Sequence, residues 1–303
     1  MKHKVSDCFE EDLVSVLIPL YNRIDYIKET IESVTSQDYE HIELIVVDDG
    51  STDGSFELVS SLADKYKFSI YFHDNRENKG QSAALNLALS KARGEFISIL
   101  DSDDLFSDGK ISKQVEFFKK NPKIDIVYGM GQGIDSKGNY LYDIHSKEHQ
   151  ENNDPNLVLL DCYFLLPQNS LVRRTSYQNV GFFNESYRSA QDHDMLIRLC
   201  EVSNVAFIPE LLFYYRKHAA SISSTKQHIR WFNGLKILES ASLRYPYKKN
   251  IIRKRKALVN YRLAMAYIKQ ERNYLEATWR ILYAGLLDPI RAFKVVTGVE
   301  KNY

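Results

Sequence analysis

The sequence predicts an α/β fold, in which a Rossmann-like, mostly parallel sheet occupies residues 1–225 and an appended helical region occupies residues 226–303. Between Leu13 and Leu100, short β-branched apolar runs alternate with amphipathic stretches, which is the pattern of βαβ units on a parallel sheet. From Lys110 to Arg216 the strand pattern is less regular, and after Ser224 only helical periodicity remains.

Each element is predicted from the period of its apolar residues and from the turn residues that flank it. The first strands are Val14–Ile18, Ile42–Val47, Phe68–Phe72 and Phe96–Leu100, and the helices between them are Asp25–Ser36, Asp53–Lys65 and Gln81–Ala92. The irregular layer contains helix Lys110–Lys119, strands Asp125–Tyr128, Ser170–Val172 and Leu211–Tyr215, and helix Met195–Cys200, which the segment Gln191–Asp194 opens. The C-terminal helices are Gln227–Leu243, Ile251–Gln270, Tyr274–Leu287 and Ile290–Val296.

Composition and charge exclude several classes of protein. The 303 residues carry 40 basic and 40 acidic side chains, so a nucleic-acid partner is not expected. No apolar run reaches the about 20 residues that a membrane span needs. Acidic residues stand near the N-terminus, where a secretory signal has its basic region. Three cysteines, Cys8, Cys162 and Cys200, share no metal-ligand spacing, so a cytoplasmic protein with unreactive thiols is expected.

The residues that follow the first two strands are candidates for a binding site, because sheets of this kind bind ligands outside the carboxyl ends of their strands. Pro19, Tyr21 and Arg23 follow the first strand and offer an aromatic ring and polar groups. The second strand leads into residues 48–53, where the carboxylate of Asp49 has the chemistry to accept the imide N–H of uracil. Taken alone, this run is also explained as a turn and a helix N-cap.

An acidic cluster follows the fourth strand, where Asp101, Ser102, Asp103 and Asp104 are consecutive. Carboxylates so close together repel one another unless a cation neutralises them. Oxygen ligands suit Mg²⁺ or Mn²⁺, which also binds substrate diphosphates. Asp101 and Asp103 are therefore candidates for a metal and diphosphate site, and an acidic turn that caps the next helix is the alternative.

Two basic segments offer groups for an anion. Lys79 and Gly80 stand at the predicted N-terminus of a helix, which is favourable for anion binding, although Asn-Lys-Gly is equally a good turn. Arg216, Lys217 and His218 end the irregular layer with cations that are able to contact phosphates. A structural role for the lone histidine is the alternative.

A second acidic segment, Gln191–Asp194, opens a predicted helix. Asp192 and Asp194 are two positions apart, so they do not share a helix face. One of them is therefore expected to point into a cleft while the other caps or pairs. A capped helix start explains Asp194 better than it explains the whole cluster.

Together these motifs resemble family 2 glycosyltransferases in order and spacing over about residues 13–225. The resemblance implies the GT-A fold, a nucleotide-sugar donor, Mn²⁺ or Mg²⁺ as cofactor, and transfer with inversion. The motifs that carry it are Val14-Ser15-Val16-Leu17-Ile18-Pro19-Leu20-Tyr21-Asn22-Arg23, Val46-Val47-Asp48-Asp49-Gly50-Ser51-Thr52-Asp53, Asn78-Lys79-Gly80, Leu100-Asp101-Ser102-Asp103-Asp104, Gln191-Asp192-His193-Asp194 and Arg216-Lys217-His218.

The resemblance also implies a role for each candidate residue. The aspartate of the family's usual Glu-Asp pair is the general base and corresponds to Asp192, although this chain has Gln191 where glutamate is common. Asp103, Asp101 and His218 are the expected metal contacts, with Asp103 the direct ligand. The expected contacts of the nucleotide-sugar are Pro19, Tyr21, Arg23, Asp49, Lys79, Gly80, Asp101, Ser102, Asp103, Arg216 and His218.

The expected function is inverting transfer of a sugar from a UDP-sugar to a hydroxyl of a saccharide or lipid-linked acceptor in a bacterial-type envelope pathway. A nucleotidyltransferase would also use a metal and paired carboxylates, but it would not need Asp192. A catalytically silent module that binds a nucleotide-sugar or a protein is the other alternative.

The C-terminal region carries a dense cluster of basic residues at the start of its second helix. Such a cluster favours peripheral contact with the anionic inner face of a cell membrane. A solvated helix face, or contacts with the acidic remainder of the chain, is the alternative. The cluster comprises Lys248, Lys249, Arg253, Lys254, Arg255 and Lys256.

Overall fold

The computed structural model describes residues 5, 9–164, 168–218 and 227–296. Within them, nine strands form one mixed sheet in the order β3-β2-β1-β4-β8-β6-β9-β5, with β7 paired to β6. The predicted α/β class, with its mostly parallel first half and its helical C-terminal region, is confirmed.

The parallel half of the sheet consists of β1 to β4, which were all predicted. β1 pairs in parallel with both β2 and β4, and β2 pairs in parallel with β3. β1 begins four residues earlier than predicted. The sequence pattern missed this start because the first residues are acidic and exposed, and they pair with β4 across an irregularity in register. The strands are β1 Glu10–Leu20, β2 Ile42–Asp48, β3 Ser69–Phe72 and β4 Gly94–Ile99.

The second half of the sheet differs more from the prediction. Its longest strands pair in parallel with each other, and two short strands, β5 and β7, were not predicted. Gly129, Gly131 and Gly133 lie inside β6, because this strand is too close to its neighbour for side chains: a Cβ on Gly129 would lie 2.8 Å from the backbone oxygen of Glu210. The strands are β5 Leu105–Phe106, β6 Ile126–Ile134, β7 Tyr140–Ile144, β8 Ser170–Arg173 and β9 Val205–Arg216.

Seven helices in the described chain up to residue 218 cover the two faces of the sheet. α1, α2 and α4 pack on one face, and α3, α5, α6 and α7 pack on the other. Their apolar residues follow helical periodicity and are buried against the β-branched residues of the strands. The helices are α1 Ile27–Thr35, α2 Ser55–Tyr66, α3 Gln81–Lys91, α4 Lys110–Lys120, α5 Pro155–Asp161, α6 Arg174–Val180 and α7 Gln191–Cys200.

The C-terminal region is helical, as predicted, and each helix packs on the next: α8 Gln227–Arg244, α9 Lys249–Ala266, α10 Tyr274–Leu287 and α11 Pro289–Val296. The predicted boundary between residues 225 and 226 lies outside the described residues. Beyond it, Ile237 and Leu238 of α8 belong to the same hydrophobic core as α3 and α7. Among the described helices, none is both long and apolar enough to span a membrane.

Candidate active site

A cavity of about 640 Å³ opens at the carboxyl ends of β1, β2 and β4. The strands are parallel there, so the residues that follow them meet at one edge of the sheet. Ten predicted site residues line this cavity: Pro19, Tyr21, Arg23, Asp49, Gly80, Asp101, Ser102, Asp103, Asp192 and Arg216. Segments that are far apart in the sequence are thus brought together.

Asp49 is nearly buried in the cavity wall after β2. Its Oδ1 accepts the backbone N–H of Lys79 and its Oδ2 accepts that of Gly80, both at 2.8 Å. Burial raises the pKa of Asp49, and these two N–H groups oppose the rise. The predicted anion-binding loop therefore already holds an anion, the carboxylate of Asp49, and the side chain of Lys79 is exposed rather than part of the cavity lining.

Asp101 is held by a chain of side-chain amides. Nε2 of Gln81 donates to Oδ1 of Asp101 at 2.7 Å, and Nε2 of Gln168 donates to Oδ2. Burial raises the pKa of Asp101 to about 7, and the negative charges of Asp103 and Asp192 add to the rise. The carboxylate is thus surrounded by donors but crowded by other carboxylates.

Asp103 is paired with two basic side chains through one oxygen. Its Oδ2 lies 2.8 Å from Nε of Arg23 and 2.9 Å from Nε2 of His218. His218 is almost completely buried and does not itself line the cavity, so it reaches the site through Asp103. To bind a metal as predicted, His218 would have to give up its contact with Asp103 and direct Nε2 at the metal instead.

Arg216 was expected to offer its positive charge to phosphates, but the structure shows that this charge is already paired. Its side chain is buried, and Nη2 lies 2.7 Å from Oε2 of Glu29. Its Nε donates to the carbonyl of Asp103, and its backbone N–H donates to Oδ1 of Asp104. Arg216 therefore ties the acidic loop to β9 and α1, and its effect on a ligand is chiefly the positive charge that it places behind Asp103.

The two aspartates of α7 point in different directions, as their spacing predicted. Asp194 is buried, and its Oδ2 pairs with the guanidinium of Arg198 one turn later. Asp192 lines the cavity with its side chain about one-third exposed, and its Oδ2 lies 4.0 Å from Nε2 of His193. Of these two carboxylates, Asp192 is the one that is available to a ligand.

The acidic loop, Asp101–Asp104, is suited to bind a hard divalent cation only when a bound ligand supplies further oxygen atoms. Asp101 and Asp103 offer the oxygen donors that Mg²⁺ and Mn²⁺ prefer, and a bound cation would offset the burial and the neighbouring negative charges that raise the pKa of Asp101. Across the described residues, no three His, Cys, Asp or Glu side chains are grouped closely enough to hold a metal by themselves. Such a site therefore fits a cation that takes its other ligands from a diphosphate and water.

The lining residues that were not among the predicted site residues include Gln81, Gln168, Arg188 and Arg230. Glutamine amides and single arginines in loops form no motif, so only their position in the fold identifies them. Arg188 is exposed to the cavity beside Gly80, and Arg230 comes from α8 and donates to Nε2 of His193 at 3.1 Å. The C-terminal helices thus contribute to this cavity.

Comparisons with known proteins show which proteins this chain is similar to. The chain is 32% identical over 216 residues to an uncharacterized glycosyltransferase of Rickettsia typhi, across 70% of this chain and 66% of that protein. It spans about a third to two thirds of the length of the Rickettsia relatives that it matches.

Two solved structures share the fold at low sequence identity. Staphylococcus aureus TarS 1–349 in complex with UDP-GlcNAc superposes with a TM-score of 0.68 at 20% identity, covering 91% of this chain and 80% of that one. The mannosyltransferase PcManGT of Pyrobaculum calidifontis, in complex with GDP-Man and Mn²⁺, has a TM-score of 0.60 at 18% identity and covers 95% and 81%. The sequence profile of glycosyl transferase family 2 matches residues 15–181, more than half of the chain, and with the strand-end motifs gathered in one cavity the chain belongs to this family.

Proposed function

We propose that this glycosyltransferase moves a sugar from a UDP-sugar to a hydroxyl of a saccharide or lipid-linked acceptor, with inversion at the anomeric carbon. The observation that carries the proposal is that Asp192, Asp101 and Asp103 line one cavity. The edge that we assign to the nucleotide and an accessible carboxylate thus share one cavity, as transfer from a bound donor requires. Nucleotidyl transfer would leave Asp192 without a role.

The donor is assigned to the edge formed after β1, β2 and β4. Tyr21 is exposed at the rim and offers a ring for the base, and Asp49, which lines the cavity, is assigned as the acceptor of a ring N–H of uracil. Arg188, beside Gly80, offers a positive charge for the diphosphate. The TarS complexes with UDP and UDP-GlcNAc support a UDP-sugar, because they belong to a neighbour with the same fold.

A divalent cation, Mn²⁺ or Mg²⁺, is assigned to Asp101 and Asp103 together with the diphosphate. When bound, it supplies positive charge that stabilises the departing nucleoside diphosphate. The PcManGT complex with Mn²⁺ supports this assignment by analogy of fold. Arg23 and His218 contact the carboxylate of Asp103 and hold it in position, and Arg216 donates to the backbone carbonyl of the same residue.

Asp192 is assigned the role of general base. Its carboxylate takes the proton of the acceptor hydroxyl while the oxygen attacks the anomeric carbon, and the bond to the diphosphate breaks with its electron pair on the phosphate oxygen. Attack from the side opposite the leaving group inverts the anomeric carbon. No protein acid is needed at the leaving group, because a diphosphate leaves as a stabilised anion.

The test is a screen of nucleotide-sugars for thermal stabilisation with and without Mn²⁺, followed by an assay of transfer with the best donor. A ligand that binds only the folded protein raises its melting temperature by mass action. We expect stabilisation by one UDP-sugar to increase with Mn²⁺, and the product to have the opposite anomeric configuration. Stabilisation without transfer to any saccharide or lipid-linked acceptor would instead indicate a silent binding module.

A further inference from the structure

The last two helices carry apolar side chains that are exposed to solvent. In α10 these residues are spaced by four, three and four positions, so they share one face of the helix. Two more follow at a spacing of three in α11. We call these residues the apolar ridge; they are 60–89% exposed: Leu275, Trp279, Leu282, Leu286, Ile290 and Phe293.

The apolar ridge is not the core face of its helix. The opposite face of α10 packs on α9, where Ala277 and Ala284 are buried and Arg280 donates to Oδ1 of Asn260 at 2.9 Å. The orientation of α10 is therefore set by other residues, and the large apolar side chains are the ones left outside. Isolated exposed leucines are normal on a protein surface, but a contiguous apolar face marks an interaction site.

Basic side chains lie beside the apolar ridge. On α9, exposed Arg253 donates to the carbonyl of Leu287 at the end of α10, and Nζ of Lys256 lies 5.6 Å from the ring centre of Tyr283. Exposed Lys294 is adjacent to Phe293 of the ridge. From Lys249 to Val296 the chain has eleven basic and three acidic residues, so the segment that carries the ridge has a net positive charge.

We infer that the apolar ridge is a docking surface for an anionic lipid bilayer. Leucine, tryptophan and phenylalanine on one face of a helix enter the boundary between headgroups and acyl chains, and nearby lysine and arginine side chains pair with lipid phosphates. A partner surface must complement both features, and an anionic bilayer does so. The exposed members of the basic cluster predicted from the sequence are then one half of the surface, and the ridge is the other. Arg255 is not among them, because it is buried and donates to the carbonyl of Leu160.

The docking surface is connected to the candidate active site by packed helices. α10 packs on α9, α9 packs on α8, and α8 contributes Arg230 to the cavity. A protein bound through the ridge would therefore hold its cavity at a defined position relative to the bilayer. The inference itself does not depend on the proposed transfer reaction, because the ridge and its basic neighbours lie outside the cavity.

Vesicle flotation of the full chain tests the inference. We expect the protein to float with vesicles that contain phosphatidylglycerol, to stay unbound with phosphatidylcholine alone, and to be released by salt. The double variant Trp279→Gln with Leu286→Gln should lose at least tenfold in binding, because both side chains are exposed and replacing them leaves the fold intact. The matched control is Leu243→Gln, which removes an exposed apolar side chain of α8 outside the ridge.

A charge variant separates the two halves of the surface. Lys256→Gln with Lys294→Gln should weaken binding to phosphatidylglycerol vesicles, whereas Lys137→Gln with Lys147→Gln, two exposed lysines elsewhere, should not. Equal flotation of the ridge variant and the unmodified protein would overturn the inference. So would a concentration-dependent dimer that the ridge variant abolishes, in a protein that ignores anionic vesicles, since the occupant would then be a second copy of the chain.

Discussion

Nε2 of Gln191 lies 2.6 Å from Oε1 of Gln81, whose own Nε2 donates to Asp101. When Asp101 is ionised, its carboxylate only accepts hydrogen bonds, and this fixes the direction of the whole relay. Gln81 must turn its NH₂ group toward Asp101 and its oxygen toward Gln191, so residue 191 must be a donor. The glutamine that departs from the family's usual glutamate therefore has a partner that requires it.

Gln191→Glu is expected to weaken donor binding. An ionised glutamate cannot donate to Oε1 of Gln81, so the amide that holds Asp101 loses its orientation. A lost hydrogen bond of this kind costs about 0.5–1.5 kcal/mol, which predicts a rise of about two- to twelvefold in the donor KM. The control is Gln150→Glu, which adds the same charge at an exposed position. An unchanged KM in Gln191→Glu would mean that the relay has no influence on the donor.

Asp192→Asn is expected to abolish transfer but to leave donor binding nearly intact. The amide keeps the shape of the side chain but does not accept the proton, and loss of a general base costs about 10²–10⁴ in rate. The comparison is kcat and the calorimetric affinity for UDP in the same variant. A variant with near-normal turnover would contradict the assignment of the base.

Asp194→Asn is the matched change two residues away, and a different defect is expected. Asp194 is buried and pairs with Arg198, whose guanidinium also donates to the carbonyls of Val180 and Phe182. Removing one charge of a buried pair costs about 3–5 kcal/mol of stability. Urea unfolding should therefore show a lower free energy of unfolding for Asp194→Asn than for the unmodified protein. At low temperature, where the variant is folded, its kcat should exceed that of Asp192→Asn.

Asp103→Ala and Asp49→Ala are expected to give separable binding defects. Asp103→Ala should weaken the binding of Mn²⁺ and the gain in UDP affinity that Mn²⁺ gives. Asp49→Ala should weaken UDP even without metal, because it removes the acceptor for the base and releases the N–H groups of Lys79 and Gly80. Calorimetry with and without Mn²⁺ distinguishes the two. If UDP binds the Asp103 variant with normal affinity in Mn²⁺, the acidic loop is only a turn.

His193 is expected to make the protein less stable in mild acid. Burial lowers its pKa to about 4, the charge of Asp192 opposes this, and the charges of Arg230, Arg255 and Arg262 add to it. The unfolded chain binds the extra proton below its ordinary pKa of 6.5, so stability falls as the pH drops from about 6.5 to 4. The slope attributable to this residue is at most about 1.4 kcal/mol per pH unit.

Urea unfolding at pH 7.5 and pH 5 measures this dependence. His193→Gln should lose less stability between the two pH values than the unmodified protein. The control is His41→Gln, because His41 is an exposed histidine. If the loss of stability is the same in the His193 variant and the unmodified protein, the histidine is not held neutral by its surroundings.

The sequence by itself determined the α/β class, the four parallel strands, the helical C-terminal region and the family. These follow from local periodicity and from short motifs at strand ends, and a parallel sheet necessarily brings strand ends to one edge. The spacing of Asp192 and Asp194 likewise sufficed to predict that only one of them faces the cleft. The catalytic role of Asp192 stays a prediction.

The tertiary structure decided what each polar group is bonded to. Gln81 and Gln191 are 110 positions apart, and Arg216 meets Glu29 across 187 positions, so no local pattern contains these contacts. The glycines of β6 hid the second part of this strand from the sequence pattern, because glycine is rare inside strands. Here glycine is needed because the neighbouring strands leave no room for a side chain. The exposure of the apolar ridge is also tertiary: the periodicity of α10 predicts an apolar face, but only packing decides that the small alanines are buried and the large side chains remain outside.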